Sequence, residues 1–387
     1  MERPPLRPIV LATVAAVAVA LLAGLLGSSA KAQAAENPES DGFALTVLDR
    51  LGPQEDQAST SVAIGVDGLA LISYHDDANS DLKVAHCRNV ACRSATKAAI
   101  DAAGDVGRWS SIAIGADGLG LISYYDATNG DLKVAHCVDV PCSRATRRTI
   151  DTDGGPSSIT LGADGRGLIA YEANGALKVA HCSNLRCSAA AIATIDIVQG
   201  GPHPSITLGS DGRGLISYVD RTEDGDFGLN VAHCVDVACS TATTANSLPG
   251  FWERISSITL GGDGLGLMTV ADIDSNLGVA HCSNLDCSAA TFAYVGVSLV
   301  RAAAITTGTD GLGLVSFVQG DALGLNVTHC EDAACRSATT TTVDPSVFAG
   351  GLTSIAVGAD GSPLVSYYDD SDLKAAHCSD PFCEPRR

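Results

Sequence analysis

Large aromatic side chains and positive charge are both scarce in this chain. Of its 387 residues only 4% are Phe, Trp or Tyr, with two Trp and two Met, yet 46% are hydrophobic. Small and β-branched residues therefore carry the apolar content, enough for a folded chain of several sheets rather than a disordered tail. Lys and Arg number 24 against 44 Asp and Glu, a net charge of -20. Such a surface repels phosphate backbones and anionic bilayers, which argues against nucleic-acid or lipid-surface partners. Sustained helical periodicity is missing, and so are Gly-x-Ser-x-Gly and His-Glu-x-x-His, the signatures of serine hydrolases and zinc peptidases.

Only one long apolar run is present. Ile9 to Leu26 follows Arg3 and Arg7 and precedes Ala30, Ala32 and Ala34, the layout of a secretory signal with A-x-A cleavage sites. Residues 1–34 are expected to be a signal peptide, cut near Ala32 or Ala34. An uncleaved anchor is the alternative, because the run sits at the lower limit of a membrane span. Residues 35–42 read as a short linker to a secreted or cell-surface domain over 43–387.

Ser111-Ile-Ala-Ile-Gly115-Ala-Asp117-Gly118, Leu121-Ile-Ser-Tyr124-Tyr125-Asp126 and Asp131-Leu-Lys-Val-Ala-His136-Cys137, followed by Cys142, form a unit that returns seven times, beginning near 61, 111, 158, 205, 257, 304 and 354. Alternation within a unit predicts four short strands, and Gly-x-Asp-Gly predicts a tight hairpin between the first two. Seven four-stranded antiparallel units of about this length predict an all-β, seven-bladed β-propeller. The last unit stops before a fourth strand, whereas Phe43-Ala-Leu-Thr-Val-Leu-Asp49 precedes the first unit and resembles one. This N-terminal strand is expected to complete the last blade and close the ring, pairing an edge that would otherwise stay open.

The stretches Gly104 to Ile114, Leu121 to Asp126 and Asn129 to Lys133 resemble the repeats of secreted sialidase-like (BNR-type) β-propeller proteins. The resemblance implies a ring whose first strands line a central channel. The Ser-x-Asp-x-Gly-x-x-Trp box of true sialidases is absent, and His-Cys-x4-Cys stands where that family has an aromatic turn.

All 14 cysteines fall into seven Cys-x4-Cys pairs, namely Cys87 and Cys92, Cys137 and Cys142, Cys182 and Cys187, Cys234 and Cys239, Cys282 and Cys287, Cys330 and Cys335, and Cys378 and Cys383. In an exported chain these predict disulfides across the hairpin between third and fourth strands. Zinc is the rival, but adjacent strand residues point to opposite faces, so the His and Cys of one pair cannot easily share an ion. The seven repeat histidines are expected to hydrogen-bond across blade interfaces.

The rim opposite the tight turns carries the variable loops, where function concentrates. Its acids, among them Asp76, Asp126, Asp220, Asp272 and Asp369, read as a solvated surface, with a possible calcium site at Asp220, Asp224 and Asp226; no other cofactor is implied. Arg108, Arg254 and Arg301 stand four residues before the first-strand isoleucine of their units, and Trp109 and Trp252 lie beside them. These five are the candidate ligand-binding residues, guanidinium forks for a carboxylate and indoles for a sugar or peptide. No catalytic residue can be nominated. The chain reads as an extracellular binding module for a glycan or a protein partner. A glycan-acting enzyme of sialidase-like type and an inert envelope scaffold are the alternatives.

Overall fold

The computed structural model describes residues 42–384 except 52–58, 200, 202, 222–226, 250–251, 273, 321–323, 348–351 and 370, with the backbone alone at 249 and 252–255. The expected signal peptide therefore lies outside the described residues. The described residues form seven four-stranded antiparallel sheets. Strand β1 spans Phe43–Arg50, and blade 1 follows as β2 (Thr60–Ile64), β3 (Ala70–Asp76), β4 (Asp81–Cys87) and β5 (Ala95–Asp101). Each innermost strand packs on that of the next blade, and the last, Ser354–Val357, packs on β2, which closes a seven-bladed β-propeller.

β1 pairs antiparallel with Asp372–Cys378 and so supplies the fourth strand of blade 7. Its register matches that of an ordinary outer strand. Phe43 faces Cys378 as Ala95 faces Cys87, and both pairings shift by one residue just before the terminal aspartate, Asp49 or Asp101. The likeness extends to chemistry. Tyr74 of blade 1 donates to Asp49 at 2.8 Å and Tyr124 of blade 2 donates to Asp101 at 2.8 Å, with Lys83 and Lys133 on the same carboxylates. Tyr171 and Lys178 meet Asp151 in the same way, as do Tyr367 and Lys374 with Asp344. Burial would raise the carboxyls of Asp49 and Asp101, but hydrogen bonds from Lys and Tyr outweigh it and hold both below the usual range.

Every Gly-x-Asp-Gly forms its hairpin with the second glycine left-handed, as at Gly68 (φ 75°) and Gly118 (φ 79°). The aspartate binds twice. Asp117 Oδ1 accepts the Leu119 amide at 3.2 Å, while Oδ2 lies 2.9 Å from His136 Nε2. The same pair recurs in all seven blades at 2.8–3.0 Å. This corrects the expectation that the histidines bridge blades. His136 stands opposite Leu121, at the start of the second strand, so its ring reaches the turn of its own blade.

All seven Cys-x4-Cys pairs are disulfides, a density typical of extracellular proteins, and the described residues include no free cysteine. The short turn between the cysteines is held by its Asn or Asp. Asp139, for example, takes the amides of Cys142 on its carbonyl and Ser143 on its side chain. The disulfides are buried against the neighbouring blade: a Cβ at Gly120 would lie 2.8 Å from both Cys137 Sγ and Leu71 Cδ2. Alternation sends Ala135 and Cys137 to one blade interface and Leu132 and Val134 to the other. The core is thus a series of apolar seams between blades.

Candidate functional site

The first strands turn a row of hydroxyls toward the ring axis. Ser61 accepts the amide of Ile112 one blade further on, Ser111 that of Ile159, Ser158 that of Ile206, Ser205 that of Ile258, Ser257 that of Ile305 and Ser354 that of Val62, all at 3.1–3.2 Å. Blade 6 has Ala304 at this position. A hydroxyl that accepts an amide keeps its own proton to give, so the channel wall offers neutral hydrogen-bond donors.

At the variable rim these hydroxyls open into a cavity of about 240 Å³ lined also by Trp109, His203, Pro156 and Pro204. Trp109 sits in a double register shift of the strand Val106–Ile114 and takes a left-handed backbone (φ 50°), unusual for so bulky a residue. Its ring lies 5.3 Å from Tyr125, and His203, itself left-handed (φ 38°), meets it edge-on at 6.3 Å. Blades 2 and 4 thus contribute aromatic groups to one corner of the channel mouth. Backbone strain of this kind, roughly 1–3 kcal/mol per residue, persists only where surrounding contacts impose it.

Arg108, the neighbour of Trp109, does not point free into this space. Its guanidinium forks onto Asp105, with Nε 3.1 Å from both carboxylate oxygens. Asp105 also lies 3.3 Å from Nε2 of the buried His75, off hydrogen-bond geometry, and His75 Nδ1 is 2.7 Å from Asp77. The arginine is thereby one member of an ion cluster between blades 1 and 2. Arg301 is exposed on Val300–Thr307 of blade 6, beside Gly320. Trp252 and Arg254 begin the strand Trp252–Leu260, and their side chains lie outside the described residues. Of the five expected residues, Trp109 lines the cavity and Arg108 turns to Asp105; Tyr125, Asp105 and the serine wall were not among those expected. His203, flanked by Pro202 and Pro204, was the available signal for the part played by blade 4.

The acid-rich loops divide in two. Asp76 and Asp126 are buried, where a solvated surface was expected; each accepts from an Asn three residues on (Asn79, Asn129) and a nearby Lys, so they build their own hairpins. Asp220 accepts the amides of Gln199 and Arg221. Asp224 and Asp226, the other two residues of the calcium expectation, lie outside the described residues, and no cluster of three or more metal-ligating side chains occurs among those described.

No protein-family model matches the chain, and no curated protein matches it. Solved structures do resemble it. A protein of unknown function from Dyadobacter fermentans has a TM-score of 0.54 at 11% identity, covering 89% of this chain and all of its own. Hydrazine synthase from Kuenenia stuttgartiensis has a TM-score of 0.59 at 12% identity, with 85% and 96% covered. An ulvan lyase, of a polysaccharide lyase family, has a TM-score of 0.52 at 10% identity, with 89% and 95% covered. At this identity the likeness shows the fold alone.

Proposed function

We propose that the protein is a secreted binding module whose ligand, a glycan or an extracellular protein segment, enters the channel mouth beside Trp109. The observation that carries this reading is the cavity itself, where an aromatic ring in a strained backbone faces a wall of neutral hydroxyls. Concave sites that pair a few polar groups with an aromatic surface are the usual form of a small-ligand site. Among the described lining residues there are hydroxyls, an indole and an imidazole rather than the two carboxylates that glycan hydrolysis uses. The signal-like pattern of the N-terminal sequence and the disulfides support export.

A glycan array run beside hydrolysis assays on the same glycans tests this reading: binding without turnover is expected. For a ligand so identified, Trp109→Ala should weaken binding by about thirtyfold, the cost of truncating an aromatic anchor, with the fold intact by circular dichroism. Wild-type affinity in that variant would remove the channel mouth as the site.

A further inference from the structure

The outer edge of blade 5 departs from the repeat in a way that opens a second cavity. Where blades 1, 2, 3 and 7 carry Lys83, Lys133, Lys178 and Lys374 on the third strand, blade 5 has Gly278. A Cβ there would come within 2.1 Å of Phe292 Cζ, so the Phe292 ring from the outermost strand fills the space of the missing side chain. Tyr294 then packs edge-on against Phe292, with centroids 4.7 Å apart and planes at 84°. Its hydroxyl donates to Asp272 at 3.0 Å, which fixes the ring although the residue is 56% exposed.

Asp272 organises the polar side of the same cavity. It accepts both the amide and the Nδ2 of Asn276, at 2.9–3.1 Å. With Nδ2 given to Asp272, Oδ1 is the acceptor of this cavity-lining carboxamide. The segment after Tyr294 turns at Gly296, where a Cβ would meet nothing within 4 Å, and brings Ser298 alongside. The result is a cavity of about 380 Å³ bounded by Tyr294, Asn276, Gly296, Val297 and Ser298. That volume falls in the range of small-ligand sites.

We infer that this cavity is a binding subsite for an uncharged pyranose ring, separate from the channel mouth. A pyranose has an apolar C–H face and a perimeter of hydroxyls. The held Tyr294 ring matches the first, through the negative face of its π-system, and Asn276 and Ser298 match the second. The carboxylate of Asp272 and the acidity of the whole chain disfavour an anionic sugar.

The test is saturation-transfer NMR on the full chain with a panel of neutral methyl pyranosides. At least one is expected to receive saturation on its ring protons, and Tyr294→Ala should lower its affinity about tenfold or more while Tyr294→Phe keeps most of it. Because Tyr294 is exposed, an unchanged melting temperature should accompany the loss; Asn276→Ala serves as the second variant. No response from any glycoside, or affinity unchanged in both Tyr294→Ala and Asn276→Ala, would overturn the subsite. Binding that is lost only with Trp109→Ala reports the channel mouth and overturns it too.

Discussion

Thr269 of blade 5 shows how single residues tune this ring. In five blades a second-strand hydroxyl meets a first-strand hydroxyl of the next blade: Ser73 with Ser110, Ser123 with Ser157, Ser217 with Ser256, Ser316 with Thr353 and Ser366 with Thr60, at 2.9–3.2 Å. Between blades 3 and 4 both partners are apolar, Ala170 and Pro204, and nothing is left unpaired. Between blades 5 and 6 the match fails: Ala303 holds the first-strand position, and Thr269 Oγ1 is buried without a hydrogen bond. An orphaned buried hydroxyl costs about 1–3 kcal/mol. Ala303→Ser, which supplies a partner, and Thr269→Val, which removes the need for one, should each raise unfolding stability by about 1 kcal/mol. Urea unfolding at a fixed pH reads the change; a loss in both variants would mean that the hydroxyl is satisfied by water.

Among the elements, β1 has the largest consequence for its length. It covers the edge of Asp372–Cys378 and also supplies Asp49, which takes bonds from Tyr74, Lys83 and Lys97. Deleting residues 43–49 would therefore uncover a strand edge, take the carboxylate from the buried Tyr74 phenol and leave Lys83 with Asp76 alone. The truncated protein should associate in a concentration-dependent way, visible by light scattering. A monomer with wild-type melting temperature would refute this role. The strand was legible in sequence because Phe43 to Asp49 repeats the pattern of Ala95 to Asp101 while the seventh unit lacks a fourth strand. The histidine contacts were not: strand periodicity gives the face of His136, but only the hairpin geometry sets its ring beside Asp117.

For the whole molecule, the buried carboxylates set the acid limit of stability. Asp49, Asp101 and Asp344 have folded pKa values below those of the unfolded chain, despite burial, because Lys, Tyr or Ser donors favour the charged form. Their contribution is therefore present above the unfolded carboxylate pKa of about 4 and is lost as pH falls through the lower folded values. Asp101→Asn should cost about 2 kcal/mol at neutral pH, because Tyr124, Lys133 and Arg147 lose their shared carboxylate and Lys133 keeps only Asp126, and should flatten the fall in melting temperature on acidification. An equal slope in variant and wild type would show that these clusters do not govern acid unfolding. The clusters are unevenly placed, since blades 5 and 6 carry Val270 and Phe317 where other blades have the donor tyrosine.

The sequence by itself determined the blade, its turns, its cysteine pairing, the number of blades and the strand that closes the ring. Each of these is either local in the chain or repeated along it, so periodicity and turn chemistry suffice. The tertiary structure alone decided which hydroxyl meets which, which carboxylate each tyrosine and lysine share, and that Trp109, Tyr125 and His203 gather at one corner of the channel. Apart from Trp109 with Tyr125, which share a blade, those contacts join residues of different blades, tens to hundreds of positions apart, and their partners depend on the angle at which one twisted sheet packs on the next. That angle follows from the packing of whole blade faces, which no local pattern encodes.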